Sequence, residues 1–438
     1  METPKKRTYR RRLMVDGQNT RSGSGMGTVI LMIVSLGLVL WIWQPWKSAD
    51  ERILAQAGRF KTGLSKEIGD ESLKLEQSKA AAAAAAAVPA PVKETWDHWV
   101  AGTSLRVVAW GDTAEKARAS IDALKYPLQN AGAEFDLDNP VGALRRLHDA
   151  PAETWVDQPA AVMAVLDRAQ ELGRRGQGAY SPCIGAALRA YHFGDREQDD
   201  AYPEDAALQG LIPLLDGGLL ALDTNNRRAM LKKKGVMLDW VTLGRAAVLG
   251  AAKETVEKNG LTDLIVFAGY DAYSVGAPRE GAGVWRWELP DPLSPTFQSS
   301  ALFSRPQGKT VGAAFVSEKG RRLSHNYLDK KSGAFVNEER HWIHPLIKPS
   351  NAIPQREVLQ AMAVGNDPVT AVLAARVAFM MGATPGVGFL KGLNLAGMVV
   401  DSQGRRHDTP GFAALVAPPP PREAEPPDIS KPGEVPAP

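Results

Sequence analysis

Cysteine is nearly absent: Cys183 stands alone among 438 residues. A single thiol excludes an intrachain disulfide framework and a cysteine-built metal cluster, and it leaves the redox compartment open. In "SPCIG" it follows Pro182 with no base close to it in sequence, so it reads as an inert buried thiol. Charge of one sign is also lacking. Lys and Arg number 52 against 49 Asp and Glu, a formal net charge of +3, and much of the basic excess precedes Gly27 in "KKRTYRRR" and Arg21. The rest of the chain is near neutral, which argues against nucleic acid as a partner. Generic catalytic signatures are missing too. There is no G-x-x-x-x-G-K-[ST] loop, no G-x-G-x-x-G after a strand, no H-E-x-x-H and no G-x-S-x-G. No repeat of fixed period appears.

What is present begins with "MGTVILMIVSLGLVLWIWQPW", Met26 to Trp46, which carries no charge and is long enough to cross a hydrocarbon core of roughly 30 Å as a helix. Trp41, Trp43 and Trp46 gather at one end and the arginines and lysines precede the other, so residues 1–25 are expected in the cytoplasm and everything after Lys47 outside it. A cleaved signal peptide is the alternative, but no small-x-small site follows the span. The expectation is a single-pass inner-membrane protein with its main domain periplasmic. Ile53, Ala57, Phe60, Leu64 and Ile68 then form an amphipathic stripe, and the alanine run Ala80 to Ala87 extends it until "VPAPV" stops it. Residues 47–95 are thus assigned to a helical stalk and linker. At the other end, 416–438 is too proline-rich to pack and reads as a disordered tail.

Residues 96–415 remain as one domain. "SLRVVAW" (Ser104 to Trp110) is a strand, and Ala117, Ile121, Leu124 and Leu128 mark one face of a helix over 114–131. A second helix is expected at 159–172 and a third at 369–381. Short strands are expected at 264–269, 283–289, 312–317 and 396–401. Strands outnumber those of a strictly alternating chain, so the class is α+β (mixed α/β) rather than a doubly wound sheet. His341 and His344 in "HWIH" are three apart, but Pro345 disfavours helix there, so a structural role is preferred over metal binding. "LSHNYLDKKSGAFVN" leaves His325 open between a site residue and a strand-end polar group.

Taken in order, several segments resemble those of the ApbE family of FAD:protein FMN transferases. They are "AGTSLRVVAWG", "EFDLDNPVGALRRLHDAP", "GQGAYSPCIGAALRAYHFG", "LDWVTLGRAAVLGAA", "LIVFAGYD", "LSHNYLDKKSGAFV" and the stretch from Ala371 to Gly404. The resemblance implies a Mg²⁺-dependent enzyme that transfers FMN from FAD to a Ser or Thr hydroxyl of a target envelope flavoprotein, releasing AMP. It places Thr103, Asp239, Thr242, Gly244, Gly269 and His325 at the flavin nucleotide, Asp271 and His325 in catalytic positions, and Thr242 on the metal. Asp329 and Gly333 match the acidic position and turn that follow the histidine.

The chain also departs from the family pattern. Val372 and Arg376 stand where the family has its metal-binding Asp and Thr, one helical turn apart. Asp367 and Thr370, just upstream, are possible substitutes. Tyr270 replaces a glycine, and Ala246 and Ala247 replace Gly and Tyr. Two readings follow: a membrane-anchored transferase, or a catalytically inactive ApbE-like protein that binds flavin or serves as a scaffold in the envelope. In a refinement of the second, Arg376 takes the metal's place and pairs with phosphate directly. A weaker reading has Tyr270 and Trp240 filling a former pocket.

Overall fold

The computed structural model describes residues 91–193, 203–279, 285–290, 299–304, 308–315, 321–328 and 335–417. All of them belong to the second of two units, Ala84–Pro438. The apolar span 26–46, the stalk and the tail beyond 417 lie outside the described residues, as do Asp329 and Gly333. Among the described residues no helix is long and apolar enough to cross a membrane.

The chain runs β1 (Val92–Val100), β2 (Thr103–Gly111), α1 (Ala114–Ala133), α2 (Ala143–Asp149), β3 (Val156–Asp157), α3 (Ala160–Arg175), α4 (Gly185–Ala190) and α5 (Asp205–Leu211). There follow β4 (Leu220–Asp223), β5 (Arg228–Leu231), α6 (Trp240–Asn259), β6 (Leu264–Ala268), β7 (Asp271–Val275), β8 (Arg286–Pro290), β9 (Ser299–Ser304) and β10 (Lys309–Phe315). The last elements are β11 (Arg321–Leu328), β12 (Phe335–Ile343), β13 (Val358–Gly365), α7 (Pro368–Met381), α8 (Ala383–Gly392), β14 (Ala396–Asp401), β15 (Arg406–Asp408), α9 (Pro410–Ala413) and β16 (Val416–Ala417). The first strand thus opens inside the segment assigned to the linker. Once Pro91 is passed, "VKETWDHWV" alternates and pairs with β2 along its whole length.

Eight strands form one sheet in the order β1-β2-β6-β7-β10-β13-β14-β15, with every pairing antiparallel. That is the expected α+β class. Ala101 and Gly102, both at positive φ, make the two-residue turn that joins β1 to β2, the geometry that matches the strands' own twist.

On one face of the sheet α1 packs on β1 and β2, α6 on β6 and β7, and α7 on β10 and β13. The stripe of α1 is buried as its spacing requires. Helix α7 is different. Every residue from Thr370 to Met380 is buried, because α3, α6 and α8 enclose the sides that the sheet leaves uncovered. A helix apolar all round belongs in such a place. On the other face Val311, Ala313, Met362, Val364, Met398, Val400 and Phe412 form a smaller cluster.

Candidate functional site

The polar centre of the domain lies where α6 and α7 meet the start of β7. Asp239 precedes α6 as its N-cap: Oδ1 accepts from the Thr242 N–H at 3.0 Å, and the Thr242 hydroxyl bonds the same carboxylate. Tyr180 Oη lies 3.4 Å from Asp239 Oδ2. Burial pushes the Asp239 carboxyl up from its ordinary value and the Tyr180 phenol well above its own. The helix start is tied down on both sides. The Asp239 N–H donates to Pro182 O at 2.8 Å, and the Leu238 N–H to Nε2 of His148 at 3.0 Å. That bond requires His148 to be neutral at Nε2, and burial holds the ring down at about 4.

One turn into α6, Arg245 is 2 % exposed and its Nε donates to Thr103 Oγ1 at 3.0 Å. Burial lowers it to about 10. Its Nη1 stands 3.8 Å from Asp271 Oδ2. Asp271 opens β7 after the two-residue turn Gly269–Tyr270 and is fully buried. Arg376, in the middle of apolar α7, binds it with both terminal nitrogens, Nη1 to Oδ1 at 2.5 Å and Nη2 to Oδ2 at 2.7 Å, and Nη1 also donates to Val372 O at 3.2 Å. The Ala313 N–H, just past the β7–β10 pairing, donates to Asp271 Oδ1 at 2.7 Å. Arg376 is the largest fully buried side chain among the described residues. It lies there because Asp271 repays its desolvation through a bidentate pair.

Thr103, Asp239, Thr242, Gly269, Asp271 and Arg376 therefore converge, although they come from four elements and two turns. Gly269 has φ +62°, and a Cβ there would come within 2.6 Å of the Arg245 guanidinium carbon. Gly244 has a packing role instead: a Cβ would approach Ala101 Cβ to 2.6 Å, so it lets α6 sit on the β1–β2 turn. Asp367 and Thr370 are not part of the centre. Asp367 is the N-cap of α7, accepting from both the N–H and the hydroxyl of Thr370, and it lies about 14 Å along the helix from Arg376 at 1.5 Å per residue.

Arg376, expected to meet phosphate, is 1 % exposed and spent on Asp271. Tyr270 is 39 % exposed and fills no interior pocket, and Trp240 packs beside Gly102. His325 stands in β11 opposite Glu338 of β12, in a two-stranded sheet of its own. His344 is structural, as its sequence context implied: Nδ1 accepts from the Leu346 N–H and Nε2 donates to Gln355 O at 2.8 Å. Cys183 is buried and its thiol is pushed up to about 12.

Arg245, Tyr180 and His148 were missed from sequence. For Arg245 the signal was there, since it is the one charge in "WVTLGRAAVLGAA". A charge in an apolar helical run needs a buried partner. Mg²⁺ asks for a cage of oxygens. At this centre Val372 offers methyl groups, Arg376 is itself a permanent cation, and both Asp271 oxygens are already bonded to donors. The residues do not fit the metal.

The model of the ApbE family matches residues 101–399. A FAD:protein FMN transferase of Rhodobacter capsulatus is 26 % identical over 210 residues, which is 47 % of this chain and 38 % of that protein. The chain therefore spans well under half the length of that curated relative. Among solved structures, the ApbE protein of Thermotoga maritima is 18 % identical with a TM-score of 0.60, and the flavin transferase ApbE of Vibrio cholerae is 13 % identical with a TM-score of 0.61. Each comparison covers 74 % of this chain and 99 % of the other. At such identities these structures support the fold alone. The family model covers more than half of the chain, from the β1–β2 turn into β14, and includes every residue of the polar centre; on that ground the chain is a member of the ApbE family.

Proposed function

We propose that the protein transfers the FMN half of FAD to a Ser or Thr hydroxyl of another protein and releases AMP. The observation that carries this reading is the convergence of the buried Thr103, Asp239, Thr242 and Asp271 with the half-buried Gly269 turn beside them, all within the segment matched by the family model. In the reaction the acceptor oxygen attacks the FMN phosphorus and the bond from that phosphorus to the bridging oxygen breaks. AMP leaves with that oxygen, and the hydroxyl proton passes to a base. Asp271 is tied up by Arg376, so the base is assigned to His325 on the family resemblance. Charge gathers on the pyrophosphate oxygens as the bond breaks, and a buried guanidinium beside a helix start favours that charge. Arg245, behind the Gly269 turn, has that position. Membrane attachment through 26–46, a periplasmic domain and an envelope acceptor complete the proposal and rest on the sequence.

The test is to incubate the full chain in detergent with FAD and solubilised envelope membranes. A flavin-fluorescent band that survives denaturing electrophoresis, formed together with AMP, is expected. Neither product in the presence of folded protein would refute the reading.

A further inference from the structure

The buried charges at the start of β7 are arranged as a cation site that the protein fills with its own side chain. Two guanidiniums, Arg376 and Arg245, flank one carboxylate, Asp271, and all three are at most 2 % exposed. Arg376 takes both carboxylate oxygens in a fork, and it reaches them from a helix position that is otherwise alanine, valine and phenylalanine. Nothing in the packing of α7 calls for a charge there, and a buried arginine is costly unless a specific anion holds it. Val372, one turn earlier, contributes its backbone oxygen to the same guanidinium. The geometry is closed: an ion reaching Asp271 would have to displace Arg376, whose charge cannot be removed by deprotonation.

We infer that Arg376 permanently occupies the cation position of this centre, so that Asp271 binds no divalent metal and the protein handles flavin nucleotide independently of Mg²⁺. The inference deepens the transferase reading and rests on it for the identity of the ligand, but its test needs no turnover. Arg376 is here a positioning residue. It fixes the Asp271 side chain facing the Ala313 N–H and leaves Arg245, on the Gly269 side, as the guanidinium nearer the turn. Arg376 matches the Asp271 carboxylate and Arg245 lies in the field of both Asp271 and Asp239, so the two buried carboxylates are balanced by two guanidiniums without a metal ion.

The experiment is a Mn²⁺ titration of the full chain in detergent, reading free Mn²⁺ by electron paramagnetic resonance with Mg²⁺ as competitor. Wild type and Asp271→Asn are expected to bind the same number of ions, surface sites included. One additional ion in wild type, displaced by Mg²⁺, would overturn the inference. Because Asp271→Asn can fail to fold, the melting temperature of wild type is measured alongside in millimolar MgCl2 and in EDTA. Equal values are expected, and a rise with Mg²⁺ that chelator reverses would contradict the proposal. Val372→Asp with Arg376→Thr restores two oxygens one turn apart and is expected to gain a Mn²⁺ site. A folded double variant without one would refute the claim that Arg376 keeps the ion out. Absence of AMP release alongside an unchanged Mn²⁺ count would sink the transferase reading and leave this one standing.

Discussion

Replacing Arg376 by methionine, which preserves most of its length, leaves the Asp271 carboxylate buried with only the Ala313 N–H and the more distant Arg245 at 3.8 Å. Breaking a buried pair by removing one partner costs about 3–5 kcal/mol, because the remaining charge stays desolvated. Asp271→Asn should cost a similar amount: it keeps an oxygen for Ala313 but leaves two guanidiniums facing each other. The two changes together remove both charges of the pair, so neither is left buried without its partner. The double variant should therefore be more stable than either single one. Urea unfolding followed by tryptophan fluorescence measures all four corners of the cycle. Each single change should lower the melting temperature by roughly 10 °C, given about 2–4 °C per kcal/mol in domains somewhat smaller than this one. Single losses under about 1 kcal/mol, or a double loss equal to their sum, would refute the coupling, since contacting residues must show a non-additive term.

Gly269→Ala should destabilise by about 1–2 kcal/mol, the cost of left-handed backbone for an L residue, and should also weaken FAD binding by pushing Arg245 from its place, as fluorescence titration would show. Burial holds His344 at about 4, below an unfolded value near 6.5. The folded state thus takes up its proton later than the unfolded state. Stability from this group is intact above pH about 6.5 and is lost as pH falls toward 4, by roughly 3 kcal/mol. In His344→Gln that segment of the stability–pH curve should flatten, and an unchanged slope would contradict the assignment. Cys183 should react with a thiol reagent only as fast as the protein unfolds, and rapid labelling of native protein would count against its burial.

The fold was legible where the apolar period was undisturbed. The stripe from Ala117 to Leu128 and the strand Ala396–Asp401 are found as read: the helix commits one face to the core, and the short apolar strand is buried on both faces. Strand β1 was hidden by the prolines before it, which gave a linker signal stronger than the alternation that follows. Strand β13, "VLQAMAVG", is nearly all apolar, and short apolar runs do not separate helix from strand by period. At the site, the closing helix singled out Arg376, but its partner Asp271 is 105 residues away and only the sheet brings it beneath the helix. Asp367 and Thr370 had the pattern of a helix cap, a carboxylate three residues before a free N–H, and local chemistry accounts for them without a ligand. Gly244 is explained by the approach of α6 to the Ala101 turn, a contact no local pattern reveals.

The most direct test of the account is the rate of AMP release from FAD by the full chain with an acceptor-containing envelope fraction, measured in EDTA and in millimolar MgCl2. Equal rates in the two conditions are predicted, because Arg376 already occupies the cation position at Asp271. Release that appears only with Mg²⁺ would contradict the arginine-filled centre, and no release in either would contradict the transferase itself.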